Sequence, residues 1–597
     1  MRRIALLVVL VAGCPTVESL PFDDDDFTLG PTDDDDSPVG DDDDSTVGDD
    51  DDDSTVGDDD DAGVTLSETS LPTCISPVAS PGAYSDGLPG SGITFVHQTD
   101  PAWVSTNQDL VSAFADVVAT GVAAGDLDGD GAVDLFFTQS LGPSRFFWGN
   151  GDGTFVAGDT ILPAAVTGIA NTADFDGDGD LDLLVAGREH LRLFRNDGAR
   201  SFTDVSDAMG VIQPLGWAGG SSWADFDGDG DLDLYAGGYV VQSETDGETF
   251  WNGASIANIL YRQENGMLLD RRTFLGPLPE EDGQVLHAVW RDLDHDGDPD
   301  LVQVNDFGDL LVNTLVWENV GAGEGEEWIF AERGVSGGVP YMSAPMGCFA
   351  ADLDGDGWEE LWFSDFGSHH VLRATDEFEW VDVTTAWMLT VFLLSDDASW
   401  SVLGTDLDGD GQLEIFVPYG PIPSVFNGTP ANNPNQPDRF LVNEALPGGL
   451  PDFRERQDDV LPEPLDGLSR GVAEADFNGD GVPDLVVPHI GAPPSLLLGQ
   501  CTANRRLVLD LRDSTTGNTH AVGSRVTVTT NGFSQTRTMD AGSRGTYSGS
   551  EPALYFGLGA GDSPVRLEVQ WPWGATSVFQ DVCENCRVRV TREEQRR

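Results

Sequence analysis

Asp126-Leu-Asp128-Gly-Asp130-Gly131-Ala-Val-Asp134 decides how this chain reads. Acids stand at positions 1, 3, 5 and 9 of this stretch, and position 7 offers a backbone carbonyl. Gly131 at position 6 permits the sharp turn that gathers the carboxylates. That is the ligand logic of the first part of an EF-hand loop, closed at position 9 instead of 12. The donors are hard oxygens only. Ca²⁺ is therefore favoured, Mg²⁺ ranks second because it keeps more water, and Zn²⁺ is disfavoured.

The pattern recurs six more times, giving up to seven Ca²⁺ sites. The further copies carry Asp174/Asp176/Asp178/Asp182, Asp225/Asp227/Asp229/Asp233 and Asp292/Asp294/Asp296/Asp300. Then come Asp352/Asp354/Asp356/Glu360, Asp406/Asp408/Asp410/Glu414 and Asp476/Asn478/Asp480/Asp484. Position 6 is glycine in every copy. Asn478 removes one charge, which predicts weaker binding at the seventh loop. His295 departs from the pattern at position 4, which supplies no ligand. Two carboxylates ~4 Å apart repel by about 4 kcal/mol at an effective dielectric of 20. A loop that clusters four of them is poorly stable without a cation, so metal binding is expected to be linked to folding. A site held at 100 times its dissociation constant contributes roughly 2.7 kcal/mol.

Internal repeats outrank local secondary structure as a guide to fold. The loops begin 48, 51, 67, 60, 54 and 70 residues apart, which suits a four-stranded propeller blade with insertions. Around each loop the chain reads strand, loop, strand. Residues 168–174 lead into the second loop, and Leu181-Asp-Leu-Leu-Val-Ala186 leads out with an apolar stretch suited to a buried strand. A second strand pair follows at Leu191–Asn196, with a turn at Asp197-Gly198 before Phe202. No sustained helical period with caps occurs between 90 and 590. The expectation is an all-β chain: a seven-bladed β-propeller, a small β-rich C-terminal domain and a disordered acidic N-terminal tether.

These repeats resemble the FG-GAP/VCBS unit of integrin-type propellers. That resemblance implies a loop joining two strands of a blade and binding Ca²⁺, over roughly residues 90–500. From about 501 the acidic loops stop. Ala521-Val-Gly-Ser-Arg-Val-Thr-Val528, Ala541-Gly-Ser543, Tyr555-Phe-Gly-Leu-Gly559 and Leu567-Glu-Val-Gln-Trp-Pro572 resemble the ASPIC/UnbV domain. Residues 92–97 resemble the opening strand of such proteins. Together these features are similar to the cartilage acidic protein-like group. They imply an extracellular Ca²⁺-binding propeller with a β-rich tail domain and imply no reaction. Cys583-Glu-Asn-Cys586 is a departure from that pattern.

Arg2 and Arg3 precede an apolar run, Ile4–Val11, too short to span a bilayer but suited to a secretory signal. It ends Leu10-Val-Ala-Gly-Cys14, which matches a bacterial lipobox with Cys14 as the lipidated residue. Residues 1–13 are then the signal peptide and 14–70 an Asp-rich linker. Residues 23–61 carry 21 Asp and no basic residue, a composition that cannot bury a core. A flexible chain from 15 to 70 averages about 40 Å end to end, and charge repulsion extends it. The propeller follows at 71–500 and the β-rich domain at 501–597.

The net charge of −76 argues against nucleic acid as a partner. No transmembrane helix follows the signal, so membrane contact is expected through lipid alone, at the outer membrane if the cell has two. Lipidation of Cys14 leaves five cysteines. Cys74 and Cys501 flank the propeller and are placed to staple its ends. Cys348 reads as a buried free thiol. Cys583 and Cys586 read as structural, because no helix of a redox fold surrounds them.

No catalytic constellation is visible. Gly467-Leu-Ser469-Arg-Gly471 fits a nucleophile-elbow pattern, but a strand follows where a helix is required. His369-His370 reads as a loop pair. The expected function is a surface-anchored, monomeric Ca²⁺-binding propeller that binds or adheres to a protein or glycan partner. The alternative is an envelope or extracellular hydrolase or lyase acting on polysaccharide through the propeller's centre. The connections 241–283, 320–347 and 420–465, with Trp251 and Tyr341, are the expected partner surface.

Overall fold

The computed structural model describes residues 63–72, 95–98 and 120–593, less short loops of which 388–396, 421–435 and 457–464 are the longest. Its repeating unit is clearest in the second blade. Thr167–Ala173 and Asp182–Gly187 are buried along their whole length, His190–Asn196 is mixed, and Phe202–Asp204 is largely exposed. The four strands form one antiparallel meander in chain order. Burial therefore falls from inside to outside. This explains why the second strand, Asp182-Leu-Leu-Val-Ala-Gly187, is a continuous apolar run and not an alternation.

The same meander occurs seven times, at 122–161, 167–204, 218–270, 285–332, 347–382, 403–455 and 473–499, numbered here as blades 1 to 7. Blade 7 takes its fourth strand from the start of the chain. Phe95–Gln98 pairs antiparallel with the third strand, Phe95 opposite Gly499 and Gln98 opposite Leu496. A blade built from both chain ends closes the ring and covers an edge that would otherwise be open. Position 2 of each acidic loop is an apolar wedge between blades. Leu127, Phe175, Phe226, Leu293, Leu353, Leu407 and Phe477 are all buried, and Phe226 stacks on Trp290 of the next blade at 6.3 Å.

The C-terminal domain is a sandwich of two four-stranded sheets. One runs in the order Gly63–Ser70, Cys586–Glu593, Arg505–Asp513, Leu554–Gly559; the other runs Phe533–Thr538, Arg525–Thr530, Val565–Gln570, Thr576–Val582. Alternating residues fill the core between them, among them Leu507, Leu509, Val526, Val528, Leu567, Val569, Val588 and Val590. The first strand corrects an expectation. Residues 63–70 fall within the segment expected to be disordered linker, yet they pair residue for residue with 586–593. Gly63-Val-Thr-Leu-Ser-Glu-Thr-Ser70 holds no aspartate, and its Val64 and Leu66 pack against the sandwich core.

Cys583 and Cys586 form a disulfide, and Cys348 is a buried free thiol. Cys501 is disulfide-bonded. Cys74, the partner expected for it, and Cys14 lie outside the described residues. The three stretches expected as partner-facing connections, 241–283, 320–347 and 420–465, are corrected in part: they hold blade strands at Ile259–Glu264, Met267–Asp270, Trp328–Glu332, Arg439–Asn443 and Phe453–Glu455, and of the remainder 421–435 and 457–464 lie outside the described residues.

Candidate metal centres and the domain that caps them

Each acidic loop joins the first and second strands of its blade, so all seven open on the same side of the ring. Their internal bonding is repetitive. In loop 1 the position-1 acid, Asp126, accepts from the N–H groups of Gly129 and Gly131 at 2.9 and 3.0 Å. Asp128 accepts from the Asp130 N–H at 3.1 Å, and Asp130 from the Ala132 N–H at 2.9 Å. Gly131 has φ 89°, and the other position-6 glycines lie between 79° and 101°, a region where a side chain is strained. Position 4 is also left-handed, with φ between 70° and 78° in the six loops that carry glycine there. His295 adopts the same conformation at φ 63° and stacks on Trp358 of loop 5 at 4.3 Å.

The position-9 acid is a structural post as well as a candidate ligand. Asp134 is fully buried and accepts from the Leu127 N–H at 2.9 Å and from the Gly149 N–H of the third strand at 2.7 Å. Asp182, Asp233, Asp300 and Asp484 repeat both bonds. The glutamates that replace it in loops 5 and 6 differ. Glu360 and Glu414 accept from the position-2 N–H through Oε2, at 2.8 and 3.0 Å, and their Oε1 atoms are buried with no donor.

The structure brings most of the sequence-predicted acids together. Candidate ligand oxygens lie within 4.8 Å of one another in Asp126/Asp128/Asp134, Asp174/Asp176/Asp182, Asp225/Asp227/Asp229, Asp292/Asp294/Asp300 and Asp352/Asp354/Asp356. Asp178 stands apart from the loop 2 group. It was expected as the fourth carboxylate ligand there, but the triad forms without it and its side chain is exposed. Asp178 Oδ1 accepts from the Asp180 N–H at 3.0 Å, a turn bond that Asp229 and Asp356 also make from inside their own groups. It stays near enough to repel Asp174 and Asp176. Asp130 and Asp296, the position-5 acids of loops 1 and 4, make the same turn bond and also stand outside their triads.

Buried oxygens without a donor occur at Asp225 Oδ1 and Asp292 Oδ1 as well as at the two glutamates. A buried unpaired carboxylate oxygen is costly, and an oxygen-seeking divalent cation removes the cost. The residues present therefore fit calcium.

Burial is the largest force on these carboxyls, followed by hydrogen bonds from the backbone and repulsion within each loop. It pushes Asp134 up to about 7, Asp182 to about 8 and Glu360 to about 9. Asp233, Asp300, Asp484 and Glu414 stand well above the usual carboxylate range for the same reason. Arginines offset part of the charge at position 3. Arg200 pairs with Asp128 at 2.5 Å, Arg262 with Asp227, and Arg373 with Asp354 at 2.5 Å.

The β-sandwich sits on this acidic side. Thr519 donates to the Asp174 carboxylate, and Trp573 Nε1 donates to the Asp225 carbonyl at 2.8 Å. Arg525 reaches the Gly357 carbonyl. The Gly557 N–H bonds Asp406 Oδ2 at 2.9 Å, an approach so close that a Cβ at Gly557 would overlap that oxygen. Arg506 Nε bonds the Asp480 carbonyl at 2.9 Å. Residues 501–597 hold twelve arginines against ten acids, in a chain with no lysine and a net charge of −76. The cap is thus the least acidic part of the molecule, set on the most acidic face. That composition shift is readable in sequence, though the docking it serves is not.

The cap also sends a segment into the propeller's central channel. Asp540 pairs with Arg291 at the loop end of blade 4. Arg544 pairs with Glu474 of blade 7 at 2.9 Å. Thr546, deeper in, donates to the Met346 carbonyl at 2.9 Å. Ser548 and Gly549 pair in parallel with Val122 and Ala123, the innermost strand of blade 1. Tyr547, 4 % exposed, lies 6.3 Å from Trp400. The channel, where the hydrolase alternative would place its chemistry, is occupied along Arg544–Glu551 by the protein's own chain.

Two residues weighed for chemistry in the sequence are buried within side-chain hydrogen-bond networks. Ser469 is fully buried; its hydroxyl lies 2.9 Å from His489 Nδ1 and donates to Asp438 at 3.0 Å. His369 is buried between Trp362 Nε1 and the Tyr419 hydroxyl, each at 2.9 Å. Sequence reasoning overlooked the acids at position 7, of which Asp298 is 8 % exposed.

Comparison with known proteins agrees with this architecture. An FG-GAP-like repeat model matches residues 126–185, 174–236 and 292–363, and an ASPIC and UnbV model matches 514–597. The fold and the loops define an FG-GAP-repeat β-propeller joined to an ASPIC/UnbV domain. The chain is similar to cartilage acidic protein 1 of Xenopus tropicalis, 32 % identical over 178 residues, covering 29 % of this chain and 25 % of that protein. The Mus musculus protein of that name is 29 % identical over 204 residues, covering 30 % and 28 %. The match thus spans about a quarter of those relatives' length. Among solved structures, an Agrocybe aegerita lectin recognising non-reducing terminal N-acetylglucosamine is 15 % identical, covers 64 % of this chain and 86 % of its own, and has a TM-score of 0.34. BBS1N in complex with ARL6DN is 11 % identical, with coverages of 66 % and 97 % and a TM-score of 0.38.

Proposed function

We propose that this chain is a calcium-binding β-propeller, exported and tethered to the cell envelope through Cys14, that binds a protein or glycan partner without transforming it. The observation that carries the calcium reading is the set of buried carboxylate oxygens without a donor at Asp225, Asp292, Glu360 and Glu414. Positions 1, 3, 5 and 9 of each loop, with the position-7 carbonyl, would hold the ion. In loop 2 the inner shell would be Asp174, Asp176 and Asp182, with Asp178 at its exposed edge. Bound calcium supplies the positive charge that lets these acids stay ionised while buried. The working domain limits are 71–500 for the propeller and 501–597 for the cap, with residues 63–70 added to the cap.

Because neighbouring strands are antiparallel, the connections that follow the second and fourth strands leave on the side opposite the acidic loops. The described ends of the longest of them, at Tyr239 and Asn258, Pro418 and Asp438, and Arg456 and Val472, are on that side. So is Tyr341, 72 % exposed. Long loops on a rigid scaffold suit recognition, and the chain's own Arg544–Glu551 segment runs through the channel. The test is capture of envelope proteins and glycans on the immobilised protein, with calcium and with EDTA. Saturable, calcium-dependent binding without product supports the reading. Turnover of a polysaccharide that persists in EDTA overturns it.

A further inference from the structure

One register position divides the loops into kinds. Pairing of the second and third strands sets one third-strand residue opposite each position-9 acid. In blades 1 to 7 that residue is Trp148, Arg195, Arg262, Glu318, Arg373, Val442 and Leu498. Two of the three arginines reach into their own loop. Arg373 Nε donates to Asp354 Oδ2 at 2.5 Å, and its Nη2 to Asp356 Oδ2 at 2.6 Å. Arg262 Nε meets Asp227 Oδ2 as an ion pair without an aligned hydrogen bond, and its Nη2 donates to Asp229 Oδ2 at 3.4 Å. The third, Arg195, is exposed and turned to Asp197 at 2.6 Å. In blade 4 the position is an acid, Glu318, which pairs with Arg333.

Loops 3 and 5 are the ones whose gathered groups take in the position-5 acid, as Asp225/Asp227/Asp229 and Asp352/Asp354/Asp356; in loops 1, 2 and 4 the group takes the position-9 acid instead. A guanidinium fork on two carboxylates draws them together as a metal ion would. It also occupies the oxygens that a metal ion needs. Asp354 Oδ1 accepts from the Asp356 N–H at 3.2 Å and Asp356 Oδ1 from the Trp358 N–H at 2.9 Å, so all four oxygens of these two acids already hold a donor. Loop 3 repeats the arrangement more loosely, with Asp227 and Asp229 accepting from the Asp229 and Asp231 N–H groups. The Asp227 and Asp354 side chains are 0 % and 2 % exposed, whereas Arg262 and Arg373 are 28 % and 31 % exposed and have a path to swing into solvent. In loop 1, Arg200 reaches Asp128 alone and is 47 % exposed, so solvent screens it. We infer that Arg262 and Arg373 are resident cations. They hold loops 3 and 5 together when calcium is scarce, and calcium must displace them, so these two loops fill at higher free calcium than loops 2 and 4. This rests on the calcium reading of the loops and assigns an order to their filling.

The test compares the full chain with Arg373→Met and Arg262→Met, which keep an apolar stem and lose the charge. Arg192→Met is the control, because Arg192 is also half-buried on a third strand but pairs with Asp204, outside the acidic loops, at 3.6 Å. All are purified in calcium. Bound calcium is counted by elemental analysis across a series of calcium buffers, and melting is followed in EDTA and in saturating calcium. Each loop variant is expected to bind one of its calcium ions about tenfold more tightly than the parent, the factor that 1.4 kcal/mol makes. In EDTA it should melt lower, because two carboxylates have lost their counter-charge. In saturating calcium its count should equal the parent's. Arg373→Lys, which keeps the charge, should keep the weak site, and Arg192→Met should follow the parent's binding curve. Binding curves of Arg373→Met and Arg262→Met that coincide with the parent's overturn the inference while leaving the seven-loop reading intact. Weaker binding in these variants makes the arginines supports of the carboxylates and not rivals of calcium, and also overturns it. A parent protein that binds no calcium removes both readings together.

Discussion

Arg544→Met probes the segment that enters the channel. Arg544 Nη1 pairs with Glu474 Oε2 at 2.9 Å, its Nη2 donates to the Ala553 carbonyl at 2.8 Å, and its Nε lies 3.6 Å from Asp540. The two partners' side chains are 11 % and 3 % exposed, so solvent screens them little. Burial raises the Glu474 carboxyl, and Arg544 is the main force holding it down. Removing one partner of a buried pair costs about 3–5 kcal/mol, because the other charge is left uncompensated. Replacing both with apolar groups is often near neutral. Arg544→Met is therefore expected to lose about 3–5 kcal/mol in urea unfolding followed by tryptophan fluorescence. Arg544→Met/Glu474→Met should recover most of that, with a coupling energy of roughly 2–3 kcal/mol. A cost below about 1 kcal/mol for the single variant, with strictly additive effects in the double, would refute the docking of this segment in the channel.

Three further outcomes are expected. His295→Gly should be nearly neutral alone, since relief of a left-handed backbone worth about 1–2 kcal/mol is offset by loss of stacking on Trp358; in a Trp358→Ala background it should stabilise by about 1 kcal/mol, read from denaturation midpoints. Leu66→Asp should lower stability by about 2 kcal/mol and expose residues 63–70 to hydrogen exchange, while Thr65→Asp on the exposed face should not. Metal-free protein should become less stable as pH rises. Asp134, Asp225 and Asp292 are raised to about 7 and Asp182 to about 8, chiefly by burial, from a usual 3.8. The folded chain therefore holds protons that the unfolded chain has released. Their stabilisation is full below about pH 4 and is lost as pH climbs through 7 to 8. Melting in EDTA from pH 5 to pH 8.5 checks this, and calcium should flatten the dependence.

The ring was legible because its signal is local and repeated. The nine-residue loop states its own geometry through Gly131 and its equivalents, and the apolar runs beside it state the strands. The candidate ligand acids followed from the same spacing, and the structure gathers most of them as it implies. Spacing does not tell how the position-5 acids divide: Asp229 and Asp356 join their gathered groups, while Asp130, Asp178 and Asp296 stand outside theirs. What was hidden depends on contacts far apart in the chain. Residues 63–70 carry a strand alternation, but their partner lies more than five hundred residues away at 586–593. Ser548 and Gly549 form only a two-residue ladder, and nothing in Arg544-Gly-Thr-Tyr-Ser-Gly549 announces a place inside a channel. The cap's docking on the acidic loops uses backbone carbonyls such as those of Gly357 and Asp480, which leave no mark in sequence. Asp298 was visible as an acid at position 7, but only its burial separates it from Asp180.

Calcium stoichiometry with melting temperature in calcium, magnesium and EDTA tests the central claim most directly. Close to seven calcium ions per chain are expected, with a large rise in melting temperature that calcium produces and magnesium does not match. No bound metal and no shift would contradict it, leaving seven acidic turns whose buried carboxylates have no physical explanation.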